Sequence, residues 1–169
     1  MLRALAPHSV AAEGAIPLGG GLLGPALEGA LQMKPRVPLG QIDAIDVYSF
    51  KEFVDTLDSP FPTNLIDAQF NARFLIASAF VADDLNDALR EPDFASPAIR
   101  ALFAKIRVHH EPAFDVQHRA DMSIPTRVVL RRADGSRHET LLAEPLGSHR
   151  RAPISPEATR AKFNRRSRR

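Results

Sequence analysis

DAQFNARFLIASAFVADDL (residues 67–85) is the strongest secondary-structure signal in the chain. Phe70, Phe74, Ala77 and Val81 recur at i, i+4, i+7 and i+11, the spacing of one helical face, and Ile66, Leu75, Ile76 and Phe80 widen the apolar surface beyond one stripe. The spacing predicts a helix over 67–82, with Asp67 placed favourably for the helix dipole. A helix this apolar must be covered on most sides. Burying each Phe is worth about 1.5–3 kcal/mol, so a partner layer is required.

The flanking segments supply that layer. Upstream, QIDAIDVYSF (41–50) reads as a strand beginning near Ala44, with Val47 and Ser49 on the face opposite Asp46 and Tyr48. KEFVDTL (51–57) either continues it or turns into a short helix, and SPFPT (59–63), with its two prolines, is a break. Downstream, SPAIRALFAKI (96–106) has the start signals of a helix, Ser96 as N-cap and Pro97 at the first position, with Ile99, Leu102 and Phe103 on one side. IRVHHEP (106–112) is a short strand. IPTRVVLRRADGSRHETLLAEP (124–145) is a hairpin turning at Asp134-Gly135. SPEATRAKF (155–163) repeats the Ser-Pro helix start. Before all of these, Leu27–Met33 reads as a short helix stopped near Pro35, and residues 1–26, rich in Gly, Ala and Pro, read as a poorly ordered extension. The expected architecture is α+β: a mostly antiparallel sheet packed against a long apolar helix and shorter helices.

Composition narrows the chemistry. The 169 residues carry 22 Lys+Arg against 20 Asp+Glu, a net of +2. The excess sits at one end: eight bases and the single acid Glu157 fall within 147–169, which leaves the rest of the chain net acidic. Such a cluster is an end in solvent more often than a nucleic-acid face, so nucleic-acid binding is not expected. The absence of cysteine excludes disulfides, thiolate metal sites and a Cys nucleophile, and fits a cytoplasmic setting. No run is long or apolar enough to span a bilayer.

Local motifs do not identify an active site. His109 and His110 are neighbours on a strand and point to opposite faces, so they cannot readily chelate one ion, and no metal or cofactor is expected. Asp83, Asp84 and Asp87 read as a solvated loop after the helix, and His118, Arg119 and Asp121 as a polar loop between strands. Gly19–Gly21 lacks the partners of a phosphate loop.

Four stretches together resemble the C-terminal domain of the MmgE/PrpD family, which includes 2-methylcitrate dehydratases and cis-aconitate decarboxylases. They are QIDAIDVYSF; FPTNLIDAQFNARFLIASAFVADDL; SPAIRALFAKIRVHHEPAFD; and the Asp-Gly hairpin followed by PLGSHRRAPISPEATRAKF. The likeness covers roughly 27–165, leaving 166–169 as a basic tail. It implies the smaller domain of a two-domain lyase, closing over a small carboxylic acid bound mainly by a large helical domain, with no metal or organic cofactor. The chemistry implied is proton abstraction beside a carboxylate with loss of water or carbon dioxide. As a truncated, degenerate or split form the chain is expected to be inactive alone; the partners expected are a separate helical-domain chain or further copies of this one. The family's Cys-x-x-x-His segment is replaced near Leu18–Leu23, Phe74 stands in a tyrosine place, and Gln69 in that of a lysine. What the resemblance leaves as substrate-binding candidates is Gln69, Asn71 and Arg73, with no catalytic residue. The alternative is a small interaction module whose basic C-terminal tail binds an acidic partner or nucleic acid.

Overall fold

A computed structural model describes residues 21–83 and 92–145, together with Ala88, Ser148, Pro156 and Arg160. The expected helix at 155–163, the Asp84 and Asp87 loop and the extension up to residue 20 lie outside these described residues, apart from Pro156 and Arg160. The architecture is α+β. In chain order the elements are α1 (Gly24–Met33), β1 (Ile42–Ser49), α2 (Lys51–Leu57), α3 (Leu65–Gln69), α4 (Ala72–Val81), α5 (Pro97–Phe103), β2 (Ile106–His110), α6 (Pro112–Asp121), β3 (Thr126–Arg132) and β4 (Arg137–Leu142).

The four strands form one sheet in the order β2-β1-β3-β4. β1 pairs parallel with β2 and antiparallel with β3, and β3 pairs antiparallel with β4. β1 begins two residues before the expected Ala44. A register shift between Ile42 and Ala44 leaves Asp43 as an extra residue. That bulge lets Ile42 and Ile45, three apart, both reach the buried side. Beyond it strict alternation holds. Ile45, Val47 and Ser49 share one face with Ile106 and Val108 of β2 and with Thr126, Val128 and Leu130 of β3. Gly135 closes the β3–β4 turn at φ 82, a conformation glycine adopts without steric cost.

The helices that pack most closely on the sheet cover this apolar face. α1 lies over β3 and β4, and α4 over β2, with α1 and α5 flanking α4. α1 starts at Gly24, earlier than expected, because Pro25 sits at its first turn and Leu23, Ala26, Leu27 and Ala30 are all buried. Gly29 allows the close approach. A β-carbon there would lie 2.5 Å from Thr140 Oγ1 and 3.1 Å from Val128 Cγ2. Ala is favoured over Gly in a helix by about 1 kcal/mol, but this contact outweighs it. Gly29→Ala is expected to lower unfolding free energy by about 1–3 kcal/mol in urea titration, the range for overpacked cores, and a second change, Thr140→Ala, to restore part of the loss.

Two local readings change. The apolar helix expected over 67–82 is divided into α3 and α4 at Phe70–Asn71. Phe70 therefore leaves the helical stripe and is 46% exposed, whereas Phe74, Leu75, Ile76 and Ala77 are buried. His118, Arg119 and Asp121, expected in a polar loop, lie in α6. Pro112 opens it, Met122 closes it in the left-handed conformation at φ 58, and it contains no fully buried residue. KEFVDTL resolves as helix, burying Phe53 and Leu57.

Candidate functional site

The α3–α4 junction holds all three sequence-derived candidates. Asn71 is wholly buried, and both ends of its amide are hydrogen-bonded. Its oxygen accepts from the Phe74 N–H at 3.0 Å, capping α4. Its nitrogen donates to the Ser59 carbonyl (3.1 Å), Ser59 Oγ (2.9 Å) and the Pro60 carbonyl (2.8 Å). Arg73 points to the same loop. Its Nε lies 2.8 Å from Asp58 Oδ1, its Nη2 donates to the Ser59 carbonyl at 2.6 Å, and the guanidinium sits 4.3 Å from the centre of the Phe103 ring. Gln69, the last residue of α3, is half-buried, and its side chain makes no hydrogen bond among the described residues. Asn71 and Arg73 thus tie residues 58–60 to the start of α4. Phe74, in the tyrosine place, is fully buried between Phe61 and Phe94.

Beside this junction lies an open groove of about 430 Å³. Pro60, Phe61, Pro62, Ile66 and Phe70 give it an apolar wall, and its charged lining residue is Asp67. Asp67 accepts from the Asn64 side-chain amide at 2.6 Å. Polycarboxylates need cations or several N–H donors aimed at them. This groove presents a carboxylate instead, with Ile66 70% exposed at its rim.

A second polar cluster was not anticipated. It lies on the sheet face opposite the helices, where Asp46, Tyr48, Arg107, His109, Arg127 and Arg131 point. Asp46 is buried, its Oδ1 2.7 Å from His109 Nε2 and its Oδ2 2.6 Å from an Arg131 nitrogen. The His109 ring stacks on Tyr48 at 4.8 Å, Arg127 covers Tyr48 at 4.1 Å, and Arg127 reaches Glu111 at 3.4 Å. The result is a continuous ladder across three strands. Its signal in the sequence was the polar phase of the alternation in IDAIDVYS, IRVHH and TRVVLRR, which has meaning only once the strands are paired.

His110 and His118 have local partners. His110 faces away from His109, as strand alternation requires, and meets Asp115 at 2.6 Å. Asp115 also accepts the Lys51 backbone N–H at 2.8 Å. These two bonds, the backbone one foremost, hold the Asp115 carboxyl below its ordinary pKa. His118 stacks on Phe50 at 4.0 Å, and its Nδ1 lies 2.5 Å from the Ser123 carbonyl oxygen. Among the described residues no group of three His, Cys, Asp or Glu could hold a metal ion, and no helix is long and apolar enough to cross a membrane.

Compared with models of known families, residues 21–169 match the MmgE/PrpD C-terminal domain. The chain belongs to the MmgE/PrpD family. The matched region includes the whole described fold and all of the candidates above. A comparison with curated proteins returns no match. An MmgE/PrpD C-terminal domain thus carries Asn71 and Arg73 as supports of its own loop, next to a groove without a cation.

Proposed function

We propose that this chain is the substrate-closing domain of an MmgE/PrpD lyase system acting in the cytoplasm on a small tricarboxylic acid such as 2-methylcitrate or cis-aconitate. The observation that carries this reading is the family match over residues 21–169, to the C-terminal domain alone. In this reading the family's large helical domain supplies the base that removes the proton beside a carboxylate and most of the groups that hold the substrate. The α+β domain contributes closure, excluding water from the reacting centre.

We further propose that the chain is inactive by itself. The support is geometric. Asn71 and Arg73 are engaged by residues 58–60, Phe74 has no hydroxyl and no exposure, and the neighbouring groove offers Asp67 where a substrate carboxylate would need positive charge. The test is turnover of 2-methylcitrate and of cis-aconitate by the purified chain, with and without an MmgE/PrpD helical domain. No turnover alone and appearance of turnover on mixing are expected. Turnover by the single chain would overturn the inactivity, and none on mixing would count against closure in trans.

A further inference from the structure

We infer that the sheet face opposite α1 is a docking surface for a protein that presents a carboxylate-rich patch. This does not rest on the lyase reading. Strand pairing lines up three rows on this face. Ala44, Arg131 and Arg137 form the first; Arg107, Asp46, Val129 and Glu139 the second; His109, Tyr48, Arg127 and Leu141 the third. Arg107, Arg127, Arg131 and Arg137 outnumber Asp46, Glu139 and the Glu111 that pairs with Arg127, so the face carries one cation in excess on a domain whose described part is otherwise not basic. The α1 helix reaches Val128 and Thr140 on the other side of the sheet.

Three features decide the class of partner. The face is a sheet surface rather than a cleft, and small anions are held in concave sites. Its composition, arginines with a tyrosine, a histidine and Leu141 at 62% exposure, is that of protein interfaces, where Arg and Tyr are enriched. Single-stranded nucleic acid would need free aromatic faces for its bases. Tyr48 has none to offer, being stacked by His109 on one side and covered by Arg127. The Asp46 and Glu139 carboxylates lie among these arginines. They suit a protein partner better, because they fix the guanidiniums in place: Asp46 holds Arg131, and Glu139 bonds Arg137. Arg107 makes no ion pair among the described residues and is exposed beside Asp46 in the register, so it is the cation most available to an incoming carboxylate. Steering by such a face is salt-dependent and acts mainly on the association rate.

The probe is a glutamate-rich peptide, titrated into the isotope-labelled full chain and followed by amide chemical shifts. Single-stranded DNA of matched charge is titrated in parallel. Shifts over β1, β2 and β3 with the peptide are expected, weakening as salt is raised. Arg107→Glu combined with Arg137→Glu is expected to weaken the peptide about tenfold or more. Arg36→Glu, which lies off the sheet, is expected to leave binding unchanged. Both face positions are exposed, and Arg107→Lys, which keeps the charge, is expected to retain binding and so separates charge loss from misfolding. Three results would each overturn the inference: shifts confined to residues beyond 145, DNA binding to these strands more tightly than the peptide, or an unchanged affinity in the double Glu variant.

Discussion

Phe74→Ala is expected to remove a large share of the domain's unfolding free energy, about 3–5 kcal/mol. Phe74 is 0% exposed. It meets the Phe61 ring edge-on, with centroids 5.5 Å apart at 83°, and lies 5.6 Å from Phe94. Removing a ring of this kind costs about 3–5 kcal/mol, through lost transfer free energy and the cavity left behind. A domain of this size has only about 5–15 kcal/mol in total. The position has few ways to collapse around the gap, because Phe61 is also braced against Phe103 at 5.0 Å. Denaturant titration followed by circular dichroism would measure the loss, with Phe70→Ala as the control. Phe70, 46% exposed and only four residues away, is expected to cost less than about 1 kcal/mol. Equal losses at the two positions would mean that the helix is not divided as described. Phe74→Tyr carries a functional corollary. Its hydroxyl would enter the core without a hydrogen-bond partner, costing about 1–3 kcal/mol. Restoring the family's tyrosine in this way is not expected to create a substrate contact.

The second large effect is expected at Asn71. Asn71→Ala removes a helix cap, worth about 0.5–2 kcal/mol. It also removes the donor to the Pro60 carbonyl and one of two donors to the Ser59 carbonyl, which keeps Arg73, at about 0.5–1.5 kcal/mol per part-buried bond. The effects share one side chain and do not simply add, so a total of about 2–4 kcal/mol is expected from the same titration. Asn71→Asp distinguishes the two roles. It keeps the capping oxygen but replaces the donating nitrogen with a charge facing two carbonyls, so it is expected to be no better tolerated than alanine. If Asn71→Ala had wild-type stability, the amide would not be holding the 58–60 loop, and a role in ligand contact would return.

The parts of this fold that could be read in the sequence are those whose cause is local. The alternation in IDAIDVYS and TRVVLRR, the Asp-Gly turn and the Ser96-Pro97 start of α5 each depend on residues within a few positions of one another. Asn71 shows the other case. By periodicity it sits inside a helix, and Phe70 belongs to the apolar face. The break exists because the Asn71 side chain bonds Ser59 and Pro60, twelve and eleven residues upstream. α6 escaped for a different reason: it is polar and buries no residue fully, so no stripe marks it. The candidate site was legible as identities but not as roles. Arg73 can be named from the sequence, yet its meeting with Asp58 and Phe103 depends on how three separate elements pack. The Asp46 ladder required knowing that β1 lies between β2 and β3.

That central placement of β1 also bears on how the chain acquires its shape. Neither of its sheet neighbours is adjacent in sequence: β2 follows only after the described helices α2 to α5, and β3 later still. Only the β3–β4 hairpin can zip up on its own. During synthesis, the middle strand emerges early and waits, with both hydrogen-bonding edges open, until much of the domain has left the ribosome. High separation between contacting segments slows folding, and unpaired edges invite pairing with the wrong chain. The apolar helices made in the interval can collapse onto one side of the waiting strand, but they cannot satisfy its backbone.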